Sequence, residues 1–282
     1  MIVITGATGQ LGRLVIDSLL KRVPAASLIA AVRDVEKAHD LAELGVEVRQ
    51  ADYDQPDRWD AALQGADKVL LISSSEVGKR TAQHQAVIDA AQRLGVGLLA
   101  YTSILHADSS VLALADEHRE TEAALNTSGL PFVLLRNGWY TENYSHGVPT
   151  AISLGAVYGC AGEGRIASAT RADYAEAAAV VLTSDAQAGR IYELAGDEAY
   201  TLNDLAAEIG RQSGNAIDYV NLTEAEYTKV LLDAGLPEPF AKLLADSDTG
   251  VAKGALFDES KQLSQLIGRP TTPLAELVKA AL

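Results

Sequence analysis

Three glycines near the start of the chain have the spacing that most clearly indicates a ligand. Gly6, Gly9 and Gly12 follow a short apolar, β-branched run, and apolar residues then recur at helical spacing from Leu11 to Leu19. In a strand–turn–helix of this kind, the first glycine permits a tight turn and the second lets backbone N–H groups approach a pyrophosphate. The third lets the helix pack closely. The first gap is one residue longer than in the usual fingerprint, and no P-loop Gly-Lys-Ser/Thr follows. We therefore favour dinucleotide binding over a purely structural turn.

A positively charged residue ends the next apolar run. Arg33 follows Ser27–Val32, and the end of a second strand lies beside the adenosine ribose in dinucleotide-binding folds. Asp or Glu there would accept hydrogen bonds from both ribose hydroxyls and favour NAD. Arg instead suits a 2′-phosphate through bidentate, charge-assisted hydrogen bonds. The alternative is a surface Arg paired with Asp34 or Glu36. The sequence therefore favours NADPH over NADH.

Polar residues also end three later apolar runs. They are Ser73–Ser75 after Lys68–Ile72, Thr102 and Ser103 after Gly97–Tyr101, and Asn137 after Phe132–Arg136. Ligands bind outside the carboxyl ends of parallel strands, so these positions favour a role in lining a cofactor, although a simple loop would also explain the serines. Asn137 could donate to and accept from the amide of a nicotinamide, or it is a turn residue ahead of Gly138.

His118 is the titratable residue best placed for chemistry. It lies in a helical stretch beside Asp116, Glu117, Glu120 and Glu122. We expect these acids to favour its protonated form, which could donate to a substrate or ribose oxygen. The alternative is a surface histidine in a solvated acidic patch.

The sequence limits the reactions that the chain could catalyse. None of its ten tyrosines is followed four residues later by Lys, the pair with which short-chain reductases protonate the reacting oxygen. Quinone or dye reduction suffers less from this absence, because those acceptors yield stabilised anions that water can protonate. Tyr140, Asn143 and Tyr144 could form a polar, aromatic wall for a flat acceptor, or belong to the core. No metal site is expected from the dispersed histidines, and no G-x-S-x-G elbow indicates a serine hydrolase.

The elements that would position these residues alternate between strands and helices. Six strand candidates precede residue 145, separated by helical stretches such as Thr81–Leu94 and Ala115–Asn126. This alternation predicts an α/β fold with a Rossmann-type, doubly wound parallel sheet. Beyond it, one further strand (Ile191–Ala195) and several helices predict a smaller, mostly helical C-terminal lobe. The expected domains are 1–145 for the cofactor and 146–282 for the substrate, with a cleft between them, and the chain could cross between lobes more than once.

Composition narrows the class of partner and compartment. The net charge of −15 argues against nucleic acid and anionic membranes, while a few local Arg groups could still bind NADP. The single cysteine, Cys160, excludes an internal disulfide and fits a reducing cytosol. The chain opens directly into a strand candidate, and no apolar run reaches about 18 residues. We therefore expect a cytoplasmic protein with no signal peptide and no membrane span.

Taken together, these motifs resemble the NmrA-like branch of atypical short-chain dehydrogenases. The resemblance is carried by the segments GATGQLG, LRNGWYTENY, ASATRADYA and YELAG, together with Arg33, Ser73–Ser75, Tyr101–Ser103 and His118 with Glu122. It covers nearly the whole chain. It implies a flavin-free reductase that uses NADPH to reduce a quinone, a triphenylmethane-type dye or another planar acceptor. The family also contains regulators that sense redox state by binding NADP without turnover.

The resemblance also implies roles for individual residues. The implied cofactor contacts are Gly6, Thr8, Gly9, Gln10, Leu11, Gly12, Arg33, Ser73, Ser74, Ser75, Asn137, Gly138, Trp139 and Tyr140. His118 and Asn137 are the candidate catalytic residues, and Tyr140, Asn143 and Tyr144 are the candidate acceptor contacts. Some family members carry an active-site Lys where this chain has His118. The oligomeric state stays open, with a homodimer as one candidate.

Overall fold

The computed structural model describes every residue from Met1 to Leu282. It contains nine strands and thirteen α-helices. The strands are β1 (Ile2–Ile4), β2 (Leu28–Val32), β3 (Glu47–Gln50), β4 (Lys68–Leu71), β5 (Leu98–Ile104), β6 (Phe132–Asn137), β7 (Ala156–Gly159), β8 (Ile191–Leu194) and β9 (Asp218–Asn221). The helices are α1 (Gln10–Leu20), α2 (His39–Glu43), α3 (Trp59–Leu63), α4 (Arg80–Leu94), α5 (Ala115–Ser128), α6 (Glu142–Ser145), α7 (Val148–Leu154), α8 (Arg171–Thr183), α9 (Leu202–Ser213), α10 (Glu224–Asp233), α11 (Glu238–Ala252), α12 (Gln262–Ile267) and α13 (Leu274–Ala281).

Seven strands form the main sheet in the order β3-β2-β1-β4-β5-β6-β8. The pairings from β3 through β6 are all parallel. Every residue of β1, β2 and β5 is buried, as expected for strands covered on both faces. The strand order reverses between β1 and β4, which is where a doubly wound sheet opens a crevice for a ligand. The predicted fold class is confirmed.

Helices cover the sheet and are tied to it by polar contacts as well as apolar packing. The helix α1 buries Leu11, Val15 and Leu19 and packs against α8. Lys68, at the start of β4, donates to the carbonyl oxygen of Leu182 at 2.7 Å. This places a cation at the carbonyl-rich end of α8, where the helix dipole favours it. None of the helices combines the length and apolar character needed to cross a lipid bilayer.

The chain divides into two compact units. The first consists of residues 1–104, 117–137 and 171–192, and the second of 105–116, 138–170 and 193–282. The chain thus passes between units five times, and more than one crossing was expected. The expected ranges 1–145 and 146–282 differ from this division chiefly because segment 171–192, which carries α8 and begins β8, belongs to the first unit.

The second unit contains elements that the sequence did not indicate. The strands β7 and β9 form a separate parallel pair, from Ala156 opposite Asp218 to Gly159 opposite Asn221. Each has only four residues, too few for a clear alternation.

The strand expected at 191–195 is present as β8, but it adjoins β6 in the main sheet. The helix expected after Thr201 begins there, and the Thr201 side chain accepts from the backbone N–H of Asp204.

Candidate functional site

The turn between β1 and α1 has the backbone geometry expected from its three glycines. Gly6 lies in the left-handed region, with φ of +57°. A Cβ atom at Gly12 would lie 2.5 Å from the Gly6 carbonyl oxygen, so only glycine allows α1 to approach the turn. Gly9 is exposed and begins α1 without a side-chain cap, and the first helical turn has no acidic residue. The N-terminal N–H groups and dipole of α1 are therefore free to bind an anion.

Arg33 directly follows β2, at the carboxyl edge of the sheet, and its side chain is exposed. The guanidinium forms no ion pair or hydrogen bond within the chain. Asp34, one of its two expected partners, instead accepts from the backbone N–H of Glu36 at 3.1 Å. The alternative pairing with Asp34 or Glu36 is therefore not found. A free guanidinium at this position fits a phosphate on the adenosine ribose.

The segment Ile72–Ser75, which we call the β4 loop, is held by side chains from three other elements. Three consecutive backbone N–H groups donate to them: Ile72 to Thr5 Oγ1, Ser73 to Thr102 Oγ1 and Ser74 to His84 Nε2, each at 2.9 Å. Because an acceptor fixes each N–H, the loop has one conformation at the crevice between β1 and β4.

The carbonyl groups of the same segment are also used, with one exception. The Tyr53 hydroxyl donates to the Ile72 carbonyl at 2.6 Å, and Arg80 Nε donates to that of Ser74 at 2.7 Å. The Ser73 carbonyl and hydroxyl form no hydrogen bond within the chain, and Ser73 is half-buried. Ser73, in the β4 loop, thus keeps a carbonyl and a hydroxyl for a ligand.

His118 is buried and neutral, so the expectation of a protonated histidine is wrong. Only 6% of the residue is exposed, and its Nδ1 lies 2.7 Å from the Tyr101 hydroxyl. Burial, followed by the charge of Arg80 and the proximity of His84, holds the pKa of His118 well below its usual range. The alternative of a surface histidine is also wrong.

The acids that were expected to protonate His118 are bound elsewhere. Glu122 accepts from Arg136 Nε at 3.0 Å and Nη2 at 2.7 Å, and from the Ser103 hydroxyl at 2.5 Å. Glu117 accepts from the backbone N–H groups of Gly78 and Arg80, at 3.0 and 3.1 Å. Proximity in sequence therefore gave the wrong electrostatic environment.

Asn137 is the last residue of β6, at the same edge of the sheet, and is 5% exposed. Its side-chain oxygen Oδ1 is buried without a hydrogen-bond partner. A buried polar atom without a partner is costly and is rare in folded proteins, so it needs a reason. An N–H donor of a ligand would satisfy it, as the amide of a nicotinamide would.

The residues of the LRNGWYTENY segment after Asn137 lie in the second unit. Gly138 donates its N–H to the Leu194 carbonyl at 2.7 Å, and Tyr140 forms a β-bridge with Ala169. Trp139 and Tyr140 are half-buried, and Asn143 is exposed. The Tyr144 ring lies 6.1 Å from that of Tyr200, and burial holds the pKa of Tyr144 well above its usual range. Apart from Glu142, the residues of this segment after Asn137 are uncharged, and three of them are aromatic.

The chain matches known proteins over its full length. A family profile described as NAD(P)H-binding matches residues 6–185. Quinone oxidoreductase 2 of Escherichia coli (strain K12) is 58% identical over 278 residues, which cover 99% of this chain and 97% of that protein. The crystal structure of NADPH-dependent quinone oxidoreductase from Escherichia coli complexed with NADPH has a TM-score of 0.98, at 57% identity and 99% coverage of both chains. For triphenylmethane reductase from Citrobacter sp. complexed with NADP(H), the TM-score is 0.97 at 41% identity, covering 100% of both chains.

The chain belongs to the NAD(P)H-binding family. The resemblance to the NmrA-like branch is confirmed by these relatives. The residues of this chain also fit a dinucleotide on their own geometry. The turn at Gly9 offers N–H groups for a diphosphate, Arg33 offers a guanidinium for a 2′-phosphate, and Asn137 offers an acceptor for a carboxamide.

Three residues that support the candidate NAD(P)H site were not among the predicted cofactor contacts. Thr5, Tyr53 and His84 all hold the β4 loop. The sequence could have indicated Thr5, because it is a hydroxyl residue at the end of a buried strand and directly precedes Gly6 of the predicted cofactor turn. The other two reach the loop from α4 and from the segment after β3, so no local sequence pattern could have indicated them.

Proposed function

We propose that the protein is an NADPH-dependent, flavin-free reductase that transfers hydride to a quinone or a similar planar acceptor. The observation that carries the proposal is the orphaned Oδ1 of Asn137, buried at the carboxyl edge of a sheet whose glycine turn and Arg33 suit the rest of NADPH. The full-length likeness to a quinone oxidoreductase supports the choice of acceptor.

NADPH, when bound, supplies the hydride. The chain's own groups would hold it at three points: the α1 N-terminus at the diphosphate, Arg33 at the 2′-phosphate and Asn137 at the carboxamide. Ser73, with its free carbonyl and hydroxyl, would face the ribose next to the nicotinamide. Three separated contacts fix both the position and the face of a ring, and orientation of this kind is itself a large catalytic factor.

The buried groups near this edge supply no strong acid. His118 is neutral, and burial holds the pKa of Tyr101 far above its usual range. A reaction that must protonate an alkoxide would be slow with such groups, whereas a reduced quinone is a stabilised anion that takes its proton from water. The aromatic side chains of Tyr140 and Tyr144 suit a flat acceptor. We therefore assign acceptor contact to these two residues and to Asn143.

The direct test is oxidation of NADPH by the purified protein with a panel of quinones, followed by absorbance, with NADH alongside. We expect saturable oxidation with a preference for NADPH and no requirement for added flavin. Binding of NADPH without oxidation by any quinone would contradict the proposal and favour a redox sensor.

Replacing Arg33 with Ala tests the 2′-phosphate contact. Loss of a charge-assisted, bidentate contact costs about 1.5–3 kcal/mol, so we expect the Kd for NADPH to rise by roughly one to two orders of magnitude. The Kd for NADH should change little. The control is Arg93→Ala, since exposed Arg93 lies in the last turn of α4, before the amino end of β5. Equal weakening of both cofactors would remove the assignment.

Dyes of the triphenylmethane type are a second candidate class of acceptor. The 41% identity to triphenylmethane reductase over the full chain favours including them. They belong in the same panel, and a kcat/KM for the dyes above that for every quinone would reassign the acceptor.

The remaining proposals concern the protein's setting. We propose a cytoplasmic location, since the single cysteine is a buried thiol that fits a reducing compartment. The homodimer stays a prediction, which light scattering on the purified protein would test.

A further inference from the structure

His84 is a fully buried histidine on α4 whose proton positions are fixed by its partners. Its Nε2 accepts from the backbone N–H of Ser74, which can only donate. Burial, together with the charge of Arg80, lowers the pKa of His84 to about 3, so the ring is neutral. The proton must therefore reside on Nδ1, which lies 2.9 Å from Thr121 Oγ1. The Thr121 hydroxyl in turn donates to the Glu117 carbonyl at 2.9 Å.

The ring cannot rotate out of this arrangement without breaking aromatic packing. The centroid of the His84 ring lies 5.3 Å from that of Tyr101 and 6.2 Å from that of Tyr53, both in edge-on geometry. Tyr53 is itself bound to the β4 loop through the Ile72 carbonyl. His84 thus joins the packed core to a loop at the ligand crevice, through one hydrogen bond from the Ser74 N–H.

Ser73 lies between two residues that are held in place. The N–H groups of Ile72, Ser73 and Ser74 are all bound, and so are the carbonyls of Ile72 and Ser74. Because peptide units are planar, these bonds fix the peptide planes on both sides of Ser73 and with them the direction of its carbonyl. Its unused lone pairs can accept hydrogen bonds, and the ribose hydroxyls of a dinucleotide are donors. Releasing Ser74 would free one of those two planes.

We propose that His84 is a positioning residue for the cofactor, which acts through the Ser74 N–H to aim the Ser73 carbonyl and hydroxyl at the nicotinamide ribose. It does not touch the cofactor. The inference rests on the NADPH binding of the proposed function, although not on the identity of the acceptor. It predicts that the acceptor nitrogen of His84 is needed for NADPH affinity, and the donor nitrogen is not.

Two substitutions of His84 by amide residues test the two ring nitrogens separately. In His84→Gln, the side-chain oxygen can reach the position of Nε2 and accept from Ser74. In His84→Asn, the shorter side chain can place an amide near Nδ1 and donate to Thr121, while the bond to Ser74 is lost. If His84 served only for packing or for the bond to Thr121, His84→Asn would bind NADPH at least as tightly as His84→Gln.

The measurement is the Kd for NADPH by fluorescence titration without an acceptor, followed by KM and kcat with a quinone. We expect His84→Asn to raise both the Kd and the KM for NADPH by about tenfold, with kcat at saturation nearly unchanged, since one hydrogen bond is lost. His84→Gln should stay within about twofold of the parent protein. Equal Kd values for the two variants would overturn the proposal.

Two further observations guard against misfolding and against confusion with the proposed function. Exposed His39, on α2, provides the control, and His39→Asn should leave the Kd unchanged. In the parent protein, nitrogen NMR should find the His84 proton on Nδ1, and a proton on Nε2 would overturn the assignment. Parent protein that binds NADPH yet reduces no quinone would contradict the proposed function alone.

Discussion

Each unit of the protein buries a carboxyl group, but the two groups have very different partners. Glu122, in the first unit, receives two hydrogen bonds from Arg136 and one from Ser103. Asp248, in the second unit, receives one, from the backbone N–H of Cys160 at 2.8 Å, and has no cationic partner. Burial raises the pKa of Asp248 to about 6, and the single N–H bond opposes that rise only partly.

The contrast follows from where the donors lie in the fold. Ser103 and Arg136 are directly opposite each other on the paired strands β5 and β6, so the sheet register sets both donors beneath Glu122 of α5. Asp248 lies on α11, and the titratable groups near it are Cys160, Tyr144, Tyr219 and Tyr227. The charge of Asp248 contributes to the raised pKa of each. The buried carboxylate of Glu122 thus has a full set of donors, whereas that of Asp248 has one.

Removing the cation from Glu122 should have the largest effect. Arg136→Met leaves a buried carboxylate without its charge partner, which typically costs about 3–5 kcal/mol of unfolding free energy. Urea denaturation would measure this loss. The double variant Arg136→Met/Glu122→Leu should recover most of it, because no unpaired charge remains. A loss below about 1 kcal/mol would mean that the two carboxyl groups do not differ as described.

Asp248→Asn tests the other side of the contrast, with an effect that depends on pH. The pKa of Asp248 is about 6 in the folded protein against an ordinary value of 3.8, so the folded state holds the proton more tightly. Stability from this group is therefore complete below pH 3.8 and is lost as the pH rises through 6. A shift of about two units corresponds to about 3 kcal/mol at neutral pH. We expect the variant to be more stable than the parent at neutral pH, by up to that amount, and less sensitive to pH.

The control for this variant is Asp233→Asn, at an exposed carboxyl on α10. It should leave the pH dependence of the unfolding free energy unchanged. If Asp248→Asn also leaves it unchanged, the carboxyl is ionised in the folded protein at a normal pKa, and the second unit supplies a partner that the observed contacts lack.

The sequence predicted those parts of the fold and site that depend on neighbours along the chain. The turn from Gly6 to Gly12 is local, and each glycine has a geometric reason within a few residues. Strands β1, β2 and β4 to β6 are largely apolar runs and β3 alternates between apolar and polar residues, so their existence was predictable and only their ends shifted. The phosphate contact predicted for Arg33 depends only on its position directly after one strand, so the sequence could suggest it.

What the sequence could not indicate depends on residues brought together by packing. His118 seemed to lie among acids, but their carboxylates reach Arg136 and the start of α4 instead. The β4 loop is held by His84 and Tyr53, which are distant in the chain from each other. No sequence pattern around Asp248 indicated its role. Long-range polar pairing is a property of the register and of the packed helices, and periodicity carries no information about it.

Ser103→Ala should have the smallest effect on stability among the variants that test the contrast between Glu122 and Asp248. It removes one of the three donors to Glu122 and leaves the bidentate Arg136, so we expect a loss of about 1 kcal/mol in urea denaturation. In the Arg136→Met background the same substitution removes the last side-chain donor and should cost more, by at least about 1 kcal/mol. With Arg136 replaced and Ser103 intact, Glu122 keeps a single donor, as Asp248 does. The contribution of Glu122 to stability should then fall with rising pH, as that of Asp248 does. If the losses of unfolding free energy from Ser103→Ala and Arg136→Met are instead additive, Ser103 and Arg136 act on Glu122 independently.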